Sequence, residues 1–184
     1  MVSPYRIGVA LLLRDVPSTN DLSFSAPFDE RGEFEPRGAA ETDIAPDAEV
    51  DVAIQLQSFV GGLRAKGQVS APWFGTCRRC SEKVVGRSTV NVDERFVDVI
   101  EQGDEEAYLI ENDFIDLEPL VHDVLLLDLP LAPLCREDCK GLCPHCGGDR
   151  NEVECDCQAP INPVWATLDG LKFADDSSAE PNEA

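Results

Sequence analysis

Hydrophobic and polar residues alternate most regularly in the first half of the chain. Val50, Val52, Ile54 and Leu56 take every second position, with Asp51, Ala53 and Gln55 between them. That is the period of a half-buried strand. Gly61-Gly62 then marks a hairpin turn. A weaker alternation resumes through Leu63, Ala65, Gly67, Val69, Ala71 and Trp73, and Val84–Phe96 has strand character again through Val90, Val92 and Phe96. Val50–Val97 therefore reads as an antiparallel meander, with Cys77-Arg-Arg-Cys80 at one of its turns. Tyr5–Leu13 reads as a further strand. Ser18–Asp47, with Pro27, Pro36, Pro46, Gly32 and Gly38 among many acids, reads as a long loop that holds at most a short strand near Leu22–Phe28.

The pattern changes after Ile100. Glu101–Leu134 holds ten acids and neither Lys nor Arg. Its first part, around Gly103–Ala107, is expected to be an acidic loop. Asp116 is placed to cap a helix whose apolar face is Leu117, Leu120, Val121, Val124 and Leu125. Pro119 is tolerated in a first turn, and Pro130 ends the segment. The acids would line the solvated side of this helix. Leu134–Gln158 is cysteine-rich. Asn162-Pro163 then predicts the start of a short helix with Val164, Trp165, Leu168 and Leu171 on one face. Residues 174–184 read as a disordered acidic tail.

These elements imply an α+β fold: an antiparallel, barrel-like sheet with one or two helices and a C-terminal cysteine-rich zinc module. The expected division is a mainly β domain over 1–133, with the long loop at 18–47 and the helix near 116–128. The metal module and short helix would follow over 134–173.

Charge narrows the function. In 184 residues, 36 acids face 15 bases, for a formal net charge of −21. Broad contact with nucleic-acid phosphates draws its affinity from Lys and Arg, so this balance disfavours it. A basic partner suits it better. No stretch approaches the ~20 apolar residues of a membrane span, and Tyr5–Leu13 lacks the features of an export signal. A cytoplasmic protein is expected, with its thiols reduced.

In that compartment eight cysteines point to metal. They fall as Cys77-x2-Cys80, Cys135-x3-Cys139-x3-Cys143-x2-Cys146 and Cys155-x-Cys157. Eight thiols make two four-thiolate zinc sites. Cys143-Pro-His-Cys146-Gly147 has the form of a metal knuckle. Its amides can face the first sulfur, and Gly147 permits a positive φ. The compact partition puts Cys143, Cys146, Cys155 and Cys157 in one site and Cys77, Cys80, Cys135 and Cys139 in the other. A rival partition pairs the two CxxC turns as in a zinc ribbon. An iron–sulfur cluster, a thioredoxin-type redox pair and unmetallated cysteines fit the spacing less well.

Other residues carry blander readings. His122 sits beside the apolar stripe and is expected to face solvent. His145 would be an exposed knuckle tip. Trp73 and Trp165 are expected in the core. Arg78, Arg79, Lys83 and Arg87 form a local basic cluster, which would pair with the acids of Glu101–Leu134 or present a small RNA-facing patch. The chain has no phosphate loop, HExxH or nucleophile elbow. A four-thiolate zinc has no open position for water, so no enzyme is expected and no small-molecule substrate.

Cys77-Arg-Arg-Cys80, Ile115-Asp-Leu-Glu-Pro-Leu-Val, the run Leu129–Gly147 with its four cysteines, Cys155-Asp-Cys157 and Asn162-Pro-Val-Trp together resemble the YceD family. This is the bacterial family of large ribosomal RNA subunit accumulation proteins. The resemblance runs from about Val50 to Phe173. It implies a non-enzymatic role in large-subunit biogenesis, supporting 23S rRNA accumulation, and a gene near that of a zinc-ribbon ribosomal protein. Combined with the charge, it suggests an acidic adaptor for a basic ribosomal protein or a large-subunit precursor, with rRNA contact as a further option. Arg78, Arg79, Glu101, Asp104, Glu105 and Glu106 are the candidate partner-binding residues. The alternatives are a zinc redox-switch chaperone, motivated by CxxC with CxC, and a zinc-stabilised nucleic-acid-binding module.

Overall fold

The computed structural model describes residues 3–29, 42–100 and 107–157. Among these residues the chain forms β1 (Arg6–Gly8), α1 (Ala10–Arg14), β2 (Thr19–Pro27), β3 (Thr42–Asp43), β4 (Glu49–Phe59), β5 (Gly62–Thr76), β6 (Lys83–Val97), β7 (Tyr108–Leu109), β8 (Phe114–Asp116) and α2 (Glu118–Asp128). The main sheet has the order β2-β4-β5-β6-β7, with β3 pairing β5. Its long pairs are antiparallel, and β6–β7 is parallel. β1 and β8 make a separate antiparallel pair.

Alternation builds this sheet. Val50, Val52, Ile54 and Leu56 of β4 are buried, as are Leu63, Ala65, Val69 and Ala71 of β5 and Val92 and Phe96 of β6. Helix α2 packs against β5 and β6. It adds Leu120, Val121 and Leu125 to the same apolar core, with Tyr5 and Ile115. The β4–β5 turn falls at Val60-Gly61, where Gly61 has φ +95°. Trp73 packs half-buried against the core, as expected for it. Gly67 lies where a Cβ would come within 2.1 Å of the Ala53 carbonyl oxygen. Gly67→Ala should therefore destabilise the fold by about 1–3 kcal/mol, as overpacking does, measurable as a lower denaturation midpoint.

Several expectations are corrected. The sheet does not close into a barrel among the described residues: β2 and β7 lie at opposite ends of the strand order. Tyr5–Leu13 is not one strand. After β1 it turns into α1, because Val9–Leu13 has no alternation and instead buries Leu12 while leaving Leu11 75% exposed. Ser18–Asp47 is not simply a loop. Thr19–Pro27 is a nine-residue strand paired along β4, and Leu22, Phe24 and Ala26 are its core-facing positions. The N-cap of α2 is Leu117 and not Asp116, which lies one residue earlier with its carboxylate accepting from Glu118 N at 3.0 Å.

The helix is more buried than expected. Glu118 and His122 are enclosed at 0% and 1% exposure. His122 stacks on Phe28, with centroids 4.0 Å apart, and its Nε2 lies 2.7 Å from the Phe28 carbonyl oxygen. It is a core histidine. A flat ring whose polar atom meets a backbone carbonyl can join an apolar stripe that a helical wheel assigns to aliphatic residues. Asp123 and Asp128 remain exposed and tie the helix to the sheet: Tyr108 OH donates to Asp123 at 3.0 Å, and Ser88 Oγ donates to Asp128.

One compact unit ends at Gly141 and a second begins at Leu142. The boundary expected near residue 133 is displaced because Leu134–Gly141 belongs with the β5–β6 turn. The Asn162–Leu171 helix, Trp165 and the acidic tail lie outside the described residues. Among the described residues no helix is long and apolar enough to cross a membrane.

Candidate metal centres

The first centre is built where β5 turns into β6. Cys77 N donates to Glu82 O at 2.8 Å and Ser81 N to Cys77 O at 2.9 Å, closing a tight turn in which Ser81 has φ +62°. This brings Cys77 and Cys80 to the hairpin tip. Pro133–Gly141 lies against that tip. Arg78 N donates to Pro133 O at 3.0 Å. The Arg79 guanidinium donates to Cys139 O at 2.8 Å and to Glu137 O at 3.3 Å. Gly141 has φ +71°, and a Cβ there would sit 2.8 Å from Arg79 O, so a side chain is excluded.

The result is four thiols from two distant segments. Cys77, Cys80, Cys135 and Cys139 have their sulfurs all within 4.8 Å of one another. Cys77 and Cys139 Sγ are 3.9 Å apart, and Cys80 and Cys135 Sγ 3.6 Å. A tetrahedron with metal–sulfur bonds near 2.3 Å has sulfur–sulfur edges of about 3.8 Å. A disulfide would need about 2.05 Å. The spacing is that of a four-thiolate cage, and all eight cysteines are free thiols.

The second centre is local. Gly147 N donates to Cys143 O at 2.9 Å, and Cys143 N to Gly148 O at 2.8 Å. Gly147 has φ +71°, the left-handed turn that its position after the second cysteine calls for. Asp149 organises the return: its carbonyl accepts from Glu152 N and Val153 N, and its carboxylate accepts from Asn151 N at 2.8 Å. Cys143, Cys146, Cys155 and Cys157 then gather within 4.8 Å. The partition that pairs the two CxxC turns does not form, because each CxxC finds its complement elsewhere.

The electrostatics suit a cation. Burial opposes ionisation of Cys77. Backbone N–H groups of Cys135, Cys80 and Arg79 outweigh it, and the thiol falls to about 6. Cys143 falls to about 6 through the amides of Cys146 and His145. The neighbours move the other way. Cys135 is pushed up to about 12 by desolvation and by the adjoining sulfurs. Cys157 is pushed up to about 12 by Cys146 and Cys143. Each cluster thus readily forms one amide-supported thiolate and resists the next. A dication removes that resistance. The donor sets fit a metal ion at both clusters.

Among the described residues, Arg79 and Arg87 of the basic cluster are engaged elsewhere than with the acids of Glu101–Leu134. Arg87 bonds Asp51 and Ser70 on the sheet, and Arg79 is spent on the carbonyls of the first centre. Arg78 is exposed, as is His145. Glu101, Asp104, Glu105 and Glu106 lie outside the described residues. The roles of Arg79 and Gly141 had no spacing signal, since each depends on two segments that meet only in the fold.

Comparison with known proteins supports one grouping. The chain is 36% identical over 138 residues to an uncharacterized protein of Mycobacterium tuberculosis, covering 68% of this chain and 63% of that one. It is 34% identical over 77 residues to protein YlbN of Bacillus subtilis, covering 41% and 45%. Over 43 residues it is 35% identical to the chloroplastic large ribosomal RNA subunit accumulation protein YCED homolog 1 of Arabidopsis thaliana, covering 23% and 13%. The chain thus spans less than two thirds of the length of these relatives. No solved structure matches it. The family model of the large ribosomal RNA subunit accumulation protein YceD matches residues 65–172, a span that takes in all eight cysteines. The chain belongs to the YceD family.

Proposed function

We propose that this protein is a non-enzymatic, cytoplasmic factor that supports 23S rRNA accumulation and large-subunit assembly, with zinc at both four-cysteine centres. The family match over residues 65–172 carries the reading. Two features give it a mechanism. Four thiolates around one ion leave no position for substrate or water, so the metal serves structure. A net charge of −21 favours a basic ribosomal protein, alone or on a precursor particle, over bare rRNA. Asp123, Glu111 and Asp113 offer exposed acids for such a partner, and Glu101, Asp104, Glu105 and Glu106 extend the acidic run in sequence.

Depletion in the native host tests the role. Large-subunit rRNA should fall selectively against small-subunit rRNA, and the tagged protein should capture precursor particles in a salt-sensitive way. An unchanged rRNA ratio with normal subunit profiles would sink the assembly reading. Capture indifferent to salt would sink the acidic-adaptor part alone.

A further inference from the structure

The two centres differ in how far solvent reaches their sulfurs. At the hairpin centre Cys77, Cys139 and Cys80 are 1%, 2% and 8% exposed, with Val84 and Leu134 packed against them. Cys135 is its one exposed member. At the second centre the arrangement is reversed. Cys143 is 5% exposed, while Cys146, Cys155 and Cys157 are all exposed. Among the described residues no member of either buried apolar cluster lies beyond Cys139, so within them no apolar shell screens the second centre.

We propose that the second centre is an oxidant-modification site: hydrogen peroxide reacts first at Cys146, Cys155 and Cys157, while the hairpin centre persists. This rests on the reading that both centres hold a metal ion. An exposed thiolate attacks one peroxide oxygen and the O–O bond breaks. A sulfenic acid forms and hydroxide leaves. A second thiolate of the cluster attacks that sulfur, the S–OH bond breaks, and a disulfide forms as a second hydroxide leaves. Two solvent protons turn both hydroxides into water. The two thiolates give up two electrons, which peroxide takes. Two of the four ligands would then be lost, and the remaining pair would be too few to hold a metal ion.

Cys135 gives the hairpin centre a single point of entry. Burial keeps peroxide from its other sulfurs, Cys77, Cys80 and Cys139, whereas three sulfurs of the second centre stand open to solvent. The exposed sulfurs of the second centre have resolving partners beside them, within 4.8 Å. Oxidation would therefore loosen the second unit and leave the sheet and its hairpin centre as they are.

The experiment uses the full chain as isolated, with its bound metal counted first. Dilute hydrogen peroxide is added and released metal is followed with a chromophoric chelator. Samples are denatured at intervals, remaining thiols are alkylated, and each cysteine is scored by mass spectrometry. One of two metal equivalents should leave roughly tenfold or more faster than the other, following exposure of the thiolates. At that stage two cysteines of the second centre, at least one of them Cys146, Cys155 or Cys157, should resist alkylation while Cys77, Cys80 and Cys139 still label fully. Release of both ions in one phase, or earlier oxidation of Cys77, Cys80 or Cys139, would overturn the proposal. A protein isolated without metal would sink the metal reading separately, and the order of cysteine oxidation would still decide the site of modification.

Discussion

Cys143→Ser is expected to unfold the described part of the second unit and leave the sheet folded. From Leu142 to Cys157 the buried side chain is that of Cys143 itself, while Leu142 and Val153 are 41% and 57% exposed. Burial of apolar surface, the usual driving force, is therefore nearly missing from this stretch. What remains is a handful of turn hydrogen bonds, each worth about 0.5–1.5 kcal/mol net. Ordering the backbone costs roughly 1–2 kcal/mol per residue, so those bonds alone do not hold it. Structural zinc contributes about 10–16 kcal/mol in small folds that depend on it. Loss of one ligand, or exposure to a strong chelator, should remove most of that term. Metal content should fall from two equivalents to one, and amide protection at Gly147 and Val153 should disappear. Amides of β5 and β6 should keep theirs. Acid should act in the same direction. The Cys143 thiol lies at about 6, below its ordinary value of 9.0. Its contribution is fully present above the ordinary value and is lost as pH falls through the lowered one. Metal retention at this centre should weaken from neutral pH downward.

The sheet and the cysteine partition were legible in the sequence for different reasons. Strands β4–β6 are long, and each buries every second residue, so their hydrophobic period survives local exceptions such as Gly67. Strand β2 is an edge strand. Its outward positions, Thr19, Asp21, Ser23 and Ser25, made it resemble the loop around it, and the partner that specifies it, β4, begins 22 residues after its end. The α1 segment misled because a run of contiguous apolar residues carries neither period. His122 and Glu118 misled because a helical wheel assigns faces by residue type, whereas α2 lies against a sheet broad enough to enclose polar side chains beside the aliphatic stripe. The second centre could be read from spacing, since its ligands sit within fifteen residues of one another. The first could be read only by elimination. Its two halves lie some 55 residues apart, and the contacts that join them, Arg79 to the carbonyls of Glu137 and Cys139, involve a side chain whose partner atoms belong to the backbone and leave no trace in residue type.

That same join makes Cys139→Ser the second large effect, with an outcome unlike that of Cys143→Ser. The hairpin tip is attached to two things. Through β5 and β6 it continues into the sheet, whose core cluster does not include the cysteines. Through the metal centre it holds Pro133–Gly141. Removing the Cys139 sulfur leaves the first attachment untouched and takes a ligand from the second, leaving weaker contacts such as Arg78 N with Pro133 O, the Arg79 bonds and the packing of Leu134. Three hydrogen bonds of about 1 kcal/mol each do not offset the ordering of a segment that long at roughly 1–2 kcal/mol per residue. The segment should come free. The variant should bind one metal equivalent instead of two, and its hairpin-tip amides at Arg78 and Ser81 should exchange quickly. The alternate amides between Val85 and Val92 that bond to β5 should remain protected. Trypsin should then cut at Arg136 or Lys140, sites that the intact centre holds against the hairpin. If instead the variant lost the whole sheet, the metal centre would be part of the core and not an attachment to it. Gly141→Ala approaches the same state from another side, because its Cβ would press on Arg79 O while all four thiols remain. Weaker metal retention in that variant, with every ligand present, would separate the geometry of the join from the chemistry of the sulfur.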